Sequence, residues 1–263
     1  IEFAKHSNDL WPAFAMELEA WTGRSIGYRR SGALMVAVTL EALVQLGARI
    51  RSDPSLALLK ASETRALVPM LTSEFAGALW AAEEAHVDSR ALGAALAQSF
   101  RRAGGTLLTG RTVTAIKIKS GRALAAMTGD DLHKADAILV AAGAWSGALA
   151  EGLPPVTPIK GEIVALAPPP GAALPAQVVW GNGVYLVPRG GQLLVGATVE
   201  NVGFDTSLTE AAAEYLFGHA AGLMPPLADW TRADHWAGLR PRSADGLPLL
   251  GPTAIRGLYL AGG

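Results

Sequence analysis

The chain has 263 residues and a formal net charge of −1, from 22 basic and 23 acidic side chains. Because no basic run stands out against this balance, nucleic acid and anionic membranes are poor candidates as partners. The absence of cysteine excludes disulfides, iron–sulfur clusters and thiol catalysis. No apolar run reaches the roughly 18 residues of a transmembrane helix, and the first residues lack the basic head and apolar middle of a signal peptide.

Hydrophobic periodicity predicts helices that alternate with short strands. The predicted helices cover residues 3–21, 40–51, 89–103 and 208–220, with a further brief helix between Ser62 and Pro69. The predicted strands cover residues 33–38, 106–108, 112–118, 122–127, 135–140, 160–166, 177–180, 183–187 and 192–198. The first helix carries an apolar stripe made of Leu10, Phe14, Leu18 and Trp21. Thr39, Ser62 and Asp88 stand where side chains commonly cap helix N-termini.

Two structural classes interleave along the chain. An α/β part, which ends in a short apolar strand running into Gly262 and Gly263, combines residues 1–23, 86–150 and 236–263. An antiparallel sheet with a helix combines residues 24–85 and 153–235. This pattern predicts α/β plus α+β architecture in two discontinuous domains.

Several common site types have no support in the sequence. The five histidines do not fall at metal-ligand spacing. The stretch Ala144-Trp-Ser-Gly147 does not match the Gly-x-Ser-x-Gly motif of many hydrolases, because residue 144 is not glycine. The phosphate-binding motifs Gly-x-Gly-x-x-Gly and Gly-x-x-x-x-Gly-Lys do not occur.

Three stretches remain as candidates for function. The strand end Val140-Ala-Ala-Gly-Ala-Trp-Ser-Gly147 allows a ligand to approach the backbone closely, although Gly143 is equally compatible with an ordinary turn. Tyr185 heads an apolar strand and is suited either to a pocket wall or to plain sheet packing. Arg240 precedes a proline at the end of an apolar run, which suits carboxylate binding or a structural ion pair with Asp245. Arg242 is expected to be solvated.

Together these stretches resemble the FAD-dependent amine oxidases of the D-amino acid oxidase superfamily, and within them glycine oxidase of the thiamine pathway. The resemblance covers nearly the whole chain. It rests on His86-Val-Asp88, Val140 to Gly147, Lys160-Gly-Glu162, Val184-Tyr-Leu-Val-Pro-Arg189, Val195-Gly-Ala-Thr198, Trp236-Ala-Gly-Leu-Arg-Pro241, Asp245-Gly-x-Pro248 and Leu260-Ala-Gly-Gly263.

The resemblance implies roles for individual residues. Arg240 matches the arginine that pairs with the substrate carboxylate, and Tyr185 matches an active-site tyrosine on a neighbouring strand. Val199 occupies a position where glycine oxidases can carry a bulkier side chain over the substrate. The residues implied to contact FAD are Val113, Ala142, Gly143, Trp145, Gly262 and Gly263.

The resemblance also implies the fold and the reaction. The α/β part becomes a Rossmann-like FAD-binding domain, interleaved with an antiparallel-sheet substrate domain. A small amino acid loses hydride from its α-carbon to the flavin, the imine is hydrolysed, and O2 reoxidises the flavin to give H2O2. Orientation and the flavin carry this chemistry without a protein acid or base. A cytoplasmic homo-oligomer is implied as well.

Other functions share these motifs. A D-amino acid or sarcosine oxidase, or a quinone-linked dehydrogenase, contains all of them, and a non-catalytic remnant of the fold is a further alternative. The family's Gly-x-Gly-x-x-Gly strand is expected before residue 1, within about 50 residues on a typical domain size. A second substrate-side arginine is expected in a loop after Gly263. Alone, the chain is therefore expected to hold FAD poorly.

Overall fold

The computed structural model of the protein describes residues 2–51 and 53–263. Its α-helices are α1 (Glu2–Thr22), α2 (Leu40–Gly47), α3 (Ala61–Leu67), α4 (Ser89–Arg102) and α5 (Glu210–Leu223). Its strands are β1 (Ala33–Ala37), β2 (Leu56–Lys60), β3 (Gly77–Ala81), β4 (Ala115–Lys119), β5 (Arg122–Thr128), β6 (Asp131–Lys134), β7 (Ile138–Val140), β8 (Val156–Ala167), β9 (Val178–Gly181), β10 (Val184–Arg189), β11 (Gln192–Gly196), β12 (Thr231–Ser243), β13 (Leu249–Pro252) and β14 (Leu258–Gly262). Short 3₁₀ helices lie at Ala48–Arg51, Gly143–Ala148 and Pro225–Asp229. None of the helices described is both long and apolar enough to cross a membrane.

The first of two compact units comprises Ile1–Leu107, Ile163–Ala197 and Thr209–Trp236. It is built on a sheet with strand order β12-β8-β11-β10-β9-β1-β3-β2, in which β8 and β12 continue into the second unit. The core between this sheet and α5 includes Leu34, Val179, Leu186, Val195, Leu216 and Leu223. In β10, burial alternates along the strand, so that Tyr185 lies on the face opposite to Leu186.

The second unit comprises Leu108–Glu162, Thr198–Leu208 and Ala237–Gly263. It holds an antiparallel meander of β4, β5 and β6, and a small sheet in the order β13-β14-β7. In the small sheet β14 runs parallel to β7, and Leu260 lies opposite Val140. The core that these strands share is made of Ile116, Ala123, Val140, Leu149, Leu258 and Leu260.

Most of the predicted elements are confirmed. Thr39 caps α2 by accepting from the Ala42 amide, as expected from the sequence. The Ser62 cap is wrong, because α3 begins at Ala61 and Glu63 accepts from the Lys60 amide instead. No strand forms at 106–108, and β2, β3 and β6 were not predicted.

The apolar stripe of α1 is only partly buried. Leu18 lies in a small core with Ala95 of α4, whereas Leu10, Phe14 and Trp21 are exposed. Periodicity therefore identified the helix correctly, but burial depends on which neighbouring elements pack against it.

The division into units differs from the predicted domains. Residues 1–23 and 86–107 belong to the sheet unit rather than to the unit that contains β7 and β14. The physical reason is that α1 packs on α4, and that Arg29 pairs with His86 through two backbone hydrogen bonds. Both interactions hold these segments beside β1 and its neighbours.

Asp88 is expected to contribute measurably to the stability of the first unit. Its carboxylate accepts from the amides of Arg90 and Ala91 at 2.9 and 3.2 Å, and lies 3.6 Å from Arg189. Asp88→Ala removes this helix cap and should lower the free energy of unfolding by about 1–2 kcal/mol in urea titrations. Asp130→Ala, at an exposed turn, should change it by less than about 0.5 kcal/mol. Equal effects of the two substitutions would contradict the capping role.

Candidate functional site

Arg240, on β12, is held against the backbone of the second unit. Its Nη1 donates to the carbonyl of Thr198 at 3.2 Å. Its guanidinium faces Gly161 of β8, because a Cβ built on that glycine would overlap Nη2, Cζ and Nη1 together. A side chain at position 161 would therefore displace the guanidinium, so this arrangement requires glycine.

Arg240 is not part of an ion pair with Asp245. The Asp245 carboxylate accepts from the Leu247 amide at 3.0 Å and from the Ser243 hydroxyl at 3.2 Å. The first of these bonds is the main reason that the pKa of Asp245 lies below its ordinary value. Within residues 2–51 and 53–263, no carboxylate forms an ion pair with Arg240. Its guanidinium is exposed, as is Arg242, so Arg240 can accept an external anion.

An ionic cluster formed by Lys160, Glu162 and Glu200 adjoins the two residues that Arg240 contacts, since Lys160 and Glu162 flank Gly161 and Glu200 lies two residues after Thr198. Lys160 is 2% exposed and Glu162 is completely buried. The Lys160 Nζ lies 2.8 Å from Glu162 Oε1 and 3.4 Å from Glu200 Oε2. The hydrogen bond from Lys160 to Glu162 raises the pKa of the lysine above its ordinary value, against the opposing effect of burial. The ionic cluster thus brings one buried lysine Nζ within reach of two carboxylates.

Thr198 connects the ionic cluster to Arg240. Its Oγ1 accepts from the Glu162 amide at 2.8 Å and donates to Glu200 Oε1 at 2.6 Å. The backbones of Lys160 and Glu200 exchange two hydrogen bonds, both of 2.9 Å. Val199 lies between Thr198 and Glu200 in the chain, and 76% of its surface is exposed. The backbone around Val199 is thus fixed while its side chain is accessible.

Small residues follow the C-terminal end of β7, and the space beside Gly143 is open. Gly143 has φ +54°, and no atom lies within 4 Å of the position that a Cβ would occupy there. The hydroxyl of Ser146 is buried and has no hydrogen-bond partner in the described part of the chain. It lies 3.9 Å from the Cβ position of Gly262 on β14. A buried hydroxyl without a partner beside exposed backbone is suited to receive a polar ligand.

The other residues predicted to contact FAD also belong to the second unit. Val113 and Ala142 pack on the same core of the second unit. Trp145 is 53% exposed and stacks on Phe204, with ring centroids 5.6 Å apart. Gly263 is exposed and has φ +100°, a conformation that favours glycine.

Tyr185 belongs to the first unit. It pairs with Gly196 across β10 and β11, and its ring covers that glycine so closely that a Cβ there would overlap the phenol. Its other neighbour is Trp180, at a centroid distance of 5.0 Å. The phenol ring thus packs on the backbone of Gly196, which has no side chain, and on the indole of Trp180.

The structure adds four residues to the sequence-based candidates. The motifs of the family resemblance include Lys160, Glu162 and Thr198, but the resemblance implies no role for them. Glu200 lies outside those motifs. A lysine and a glutamate two positions apart within an apolar strand were the available signal, because side chains at i and i+2 share one face of a strand.

Comparisons with known proteins place the chain among flavoproteins. The family described as FAD dependent oxidoreductase (DAO) matches residues 1–263. The bifunctional protein ThiO/ThiG of Synechocystis sp. is 35% identical over 250 residues, which cover 93% of this chain and 37% of that protein. The glycine oxidase of Pseudomonas aeruginosa is 34% identical over 263 residues, which cover 98% of this chain and 71% of that protein. The crystal structure of glycine oxidase from Geobacillus kaustophilus superposes with a TM-score of 0.93 at 32% identity, over all of this chain and 73% of that one. The chain thus spans less than two fifths of the bifunctional relative and about seven tenths of the glycine oxidases.

Proposed function

Because the chain belongs to the DAO family of FAD dependent oxidoreductases, we propose that the protein oxidises glycine or another small amino acid, with FAD as its cofactor. The observation that carries this proposal is the state of Arg240. Its guanidinium is exposed, is oriented by Gly161 and the Thr198 carbonyl, and is not in an ion pair with any described carboxylate. These are the properties of a binding site for a small carboxylate.

Arg240 binds the substrate carboxylate and orients the α-carbon. A guanidinium presents its N–H groups in a planar fork, and two of them can donate to both oxygens of one carboxylate. Such a two-point contact fixes the direction of the bond to the α-carbon as well as its position. The exposed Val199 next to Thr198 limits the size of the substrate, and Tyr185 is proposed as a further substrate contact.

The end of β7 fits an FAD contact. Ala142 and Gly143 present backbone without bulky side chains, and the Ser146 hydroxyl offers a buried polar group beside Gly262. Val113, Trp145 and Gly263 complete the proposed contacts. When bound, FAD supplies the two-electron acceptor that amino acid side chains do not provide. The second unit therefore carries all of the residues that we propose for the cofactor.

In the proposed reaction the protein orients the substrate and does not act as a general acid or base. The substrate reacts as its neutral amine, and water then hydrolyses the imine to ammonia and an oxo acid. An arginine side chain serves in this scheme as a fixed cation that takes no part in proton transfer. As part of the same proposal, O2 is the electron acceptor, the protein acts in the thiamine pathway as a homo-oligomer, and its location is cytoplasmic.

The proposal is tested by flavin content and peroxide formation. Purified protein should show the absorbance of bound flavin and should release H2O2 in air when glycine is added. Sarcosine and D-alanine are added in parallel, and a higher kcat/KM for either would reassign the substrate. Turnover with an artificial electron acceptor but without H2O2 would make the protein a dehydrogenase. Full-length protein that does not retain flavin would be a non-catalytic form of the fold.

A further inference from the structure

We propose that Thr198 and the ionic cluster of Lys160, Glu162 and Glu200 are positioning residues for Arg240, and that they set the affinity of the protein for carboxylates. This inference rests on the proposed function, since it takes Arg240 as the carboxylate anchor. None of the four residues needs to touch the substrate. Their effect passes through one carbonyl group.

The Thr198 carbonyl is held in a fixed position. This carbonyl accepts from Arg240 Nη1, at 3.2 Å. The residue that bears it is tied to β8 by its amide, which donates to the Glu162 carbonyl at 3.3 Å, and by its hydroxyl, which accepts from the Glu162 amide at 2.8 Å. Loss of the hydroxyl would leave Thr198 itself with one long hydrogen bond to β8, the 3.3 Å bond from its amide.

Glu200 orients the hydroxyl of Thr198. Its Oε1 accepts from the Thr198 hydroxyl at 2.6 Å, and its Oε2 lies 3.4 Å from the Lys160 Nζ. A hydroxyl that donates to a carboxylate is oriented by it, so its lone pairs face the Glu162 amide. Glu200 thus determines how the Thr198 hydroxyl is used.

Lys160 forms ion pairs with two carboxylates. Arg240 lies on Gly161 and Thr198. Glu162 follows Gly161 directly and Glu200 lies two residues after Thr198, so two carboxylates are close to these contacts in the chain. The lysine binds both, and neither forms an ion pair with Arg240. The guanidinium therefore stays available for a carboxylate from outside.

Stability alone is a weak explanation for the ionic cluster. A buried ion pair can often be replaced by apolar side chains without loss of stability, because removing two charges from water costs about as much as their attraction returns. An ion pair that is 2% and 0% exposed is better explained by the geometry that it specifies. Here that geometry is the orientation of Thr198 and, through it, of Arg240.

The test compares Thr198→Val and Thr198→Ser in the flavin-loaded protein. Valine keeps the shape of threonine but lacks the hydroxyl, whereas serine keeps the hydroxyl. We expect Thr198→Val to weaken the binding of acetate, measured by calorimetry, by about tenfold, which corresponds to the loss of one hydrogen bond to a charged group. The KM for glycine should rise by a similar factor, with kcat changed less than about threefold. Thr198→Ser should restore both values.

Further variants separate this inference from the proposed function. Arg240→Ala is measured beside them, and Thr112→Val, at an exposed threonine of the same unit, is the matched control. If Arg240→Ala abolishes acetate binding but Thr198→Val does not change it, the positioning role is wrong and the anchor stands. If neither variant changes acetate binding, the anchor itself is wrong. If Thr198→Val does not fold, Glu200→Ala replaces it, since that side chain is 31% exposed. Unchanged acetate affinity in Glu200→Ala would overturn the inference.

Discussion

Arg240→Ala should raise the KM for glycine by roughly 100-fold, the loss expected when two hydrogen bonds between charged groups disappear. FAD content should stay close to that of the unaltered protein, because Arg240 lies on β12 whereas the proposed cofactor contacts lie just before β4 and at the ends of β7 and β14. Steady-state kinetics over a wide range of glycine concentration, together with flavin absorbance per chain, measure both quantities.

Arg242→Ala is the matched control for this substitution. Arg242 is exposed, lies two residues further along β12 and carries the same charge. It should leave the KM within about twofold, since an exposed charge that does not contact the bound carboxylate contributes little to its binding. Arg240→Lys should recover only part of the affinity, because an ammonium has the charge without the planar fork. An unchanged KM in Arg240→Ala would refute the anchor assignment.

Lys160→Met should lower the free energy of unfolding by about 3 kcal/mol, the lower end of the range for removing one partner of a buried ion pair. The loss arises because the completely buried Glu162 carboxylate loses the Lys160 Nζ, which lies 2.8 Å away. The lower end applies because Glu200 is 31% exposed and water reaches that side of the ionic cluster. Urea unfolding at neutral pH measures the difference.

A double variant tests the cause of this loss. Lys160→Met combined with Glu162→Leu removes both charges at similar volume and should be markedly more stable than Lys160→Met alone. Lys117→Met, at an exposed position of β4, should change stability by less than about 0.5 kcal/mol. If the double variant is as unstable as the single one, burial of an unpaired carboxylate is not the reason.

The pH dependence of this contribution follows from the raised pKa of Lys160. The charge on the lysine stabilises the fold fully below the pKa of an unfolded-chain lysine, about 10.4. It is lost only as the pH rises through the higher pKa of the folded state. Between pH 6 and pH 9, roughly, Lys160 should therefore contribute no change in stability with pH.

Local signals were sufficient to predict most of the secondary structure. The caps at Thr39 and Asp88 act within one helical turn, so a few residues of sequence determine them. The strands β2 and β3 were missed because short segments rich in alanine and leucine show no clear period. The exposure of Phe14 in α1 could not be predicted either, since it depends on tertiary neighbours.

The candidate site was predictable where one residue carries the signal. Arg240 stood out because a proline follows it at the end of an apolar run. The ionic cluster did not stand out, because Lys160 and Glu200 are 40 residues apart and meet only through an antiparallel backbone pairing. Sequence periodicity reports the face of a strand but not which segment pairs with it.

The backbone pairing between Lys160 and Glu200 separates two properties of the proposed site. Every bond that fixes the segment around Val199 uses its neighbours, and none uses the Val199 side chain. Under the proposed function, a larger or smaller residue at 199 should therefore alter the room above the substrate and leave carboxylate binding by Arg240 unchanged. The range of substrates would then change one substitution at a time, with recognition of the carboxylate preserved at each step.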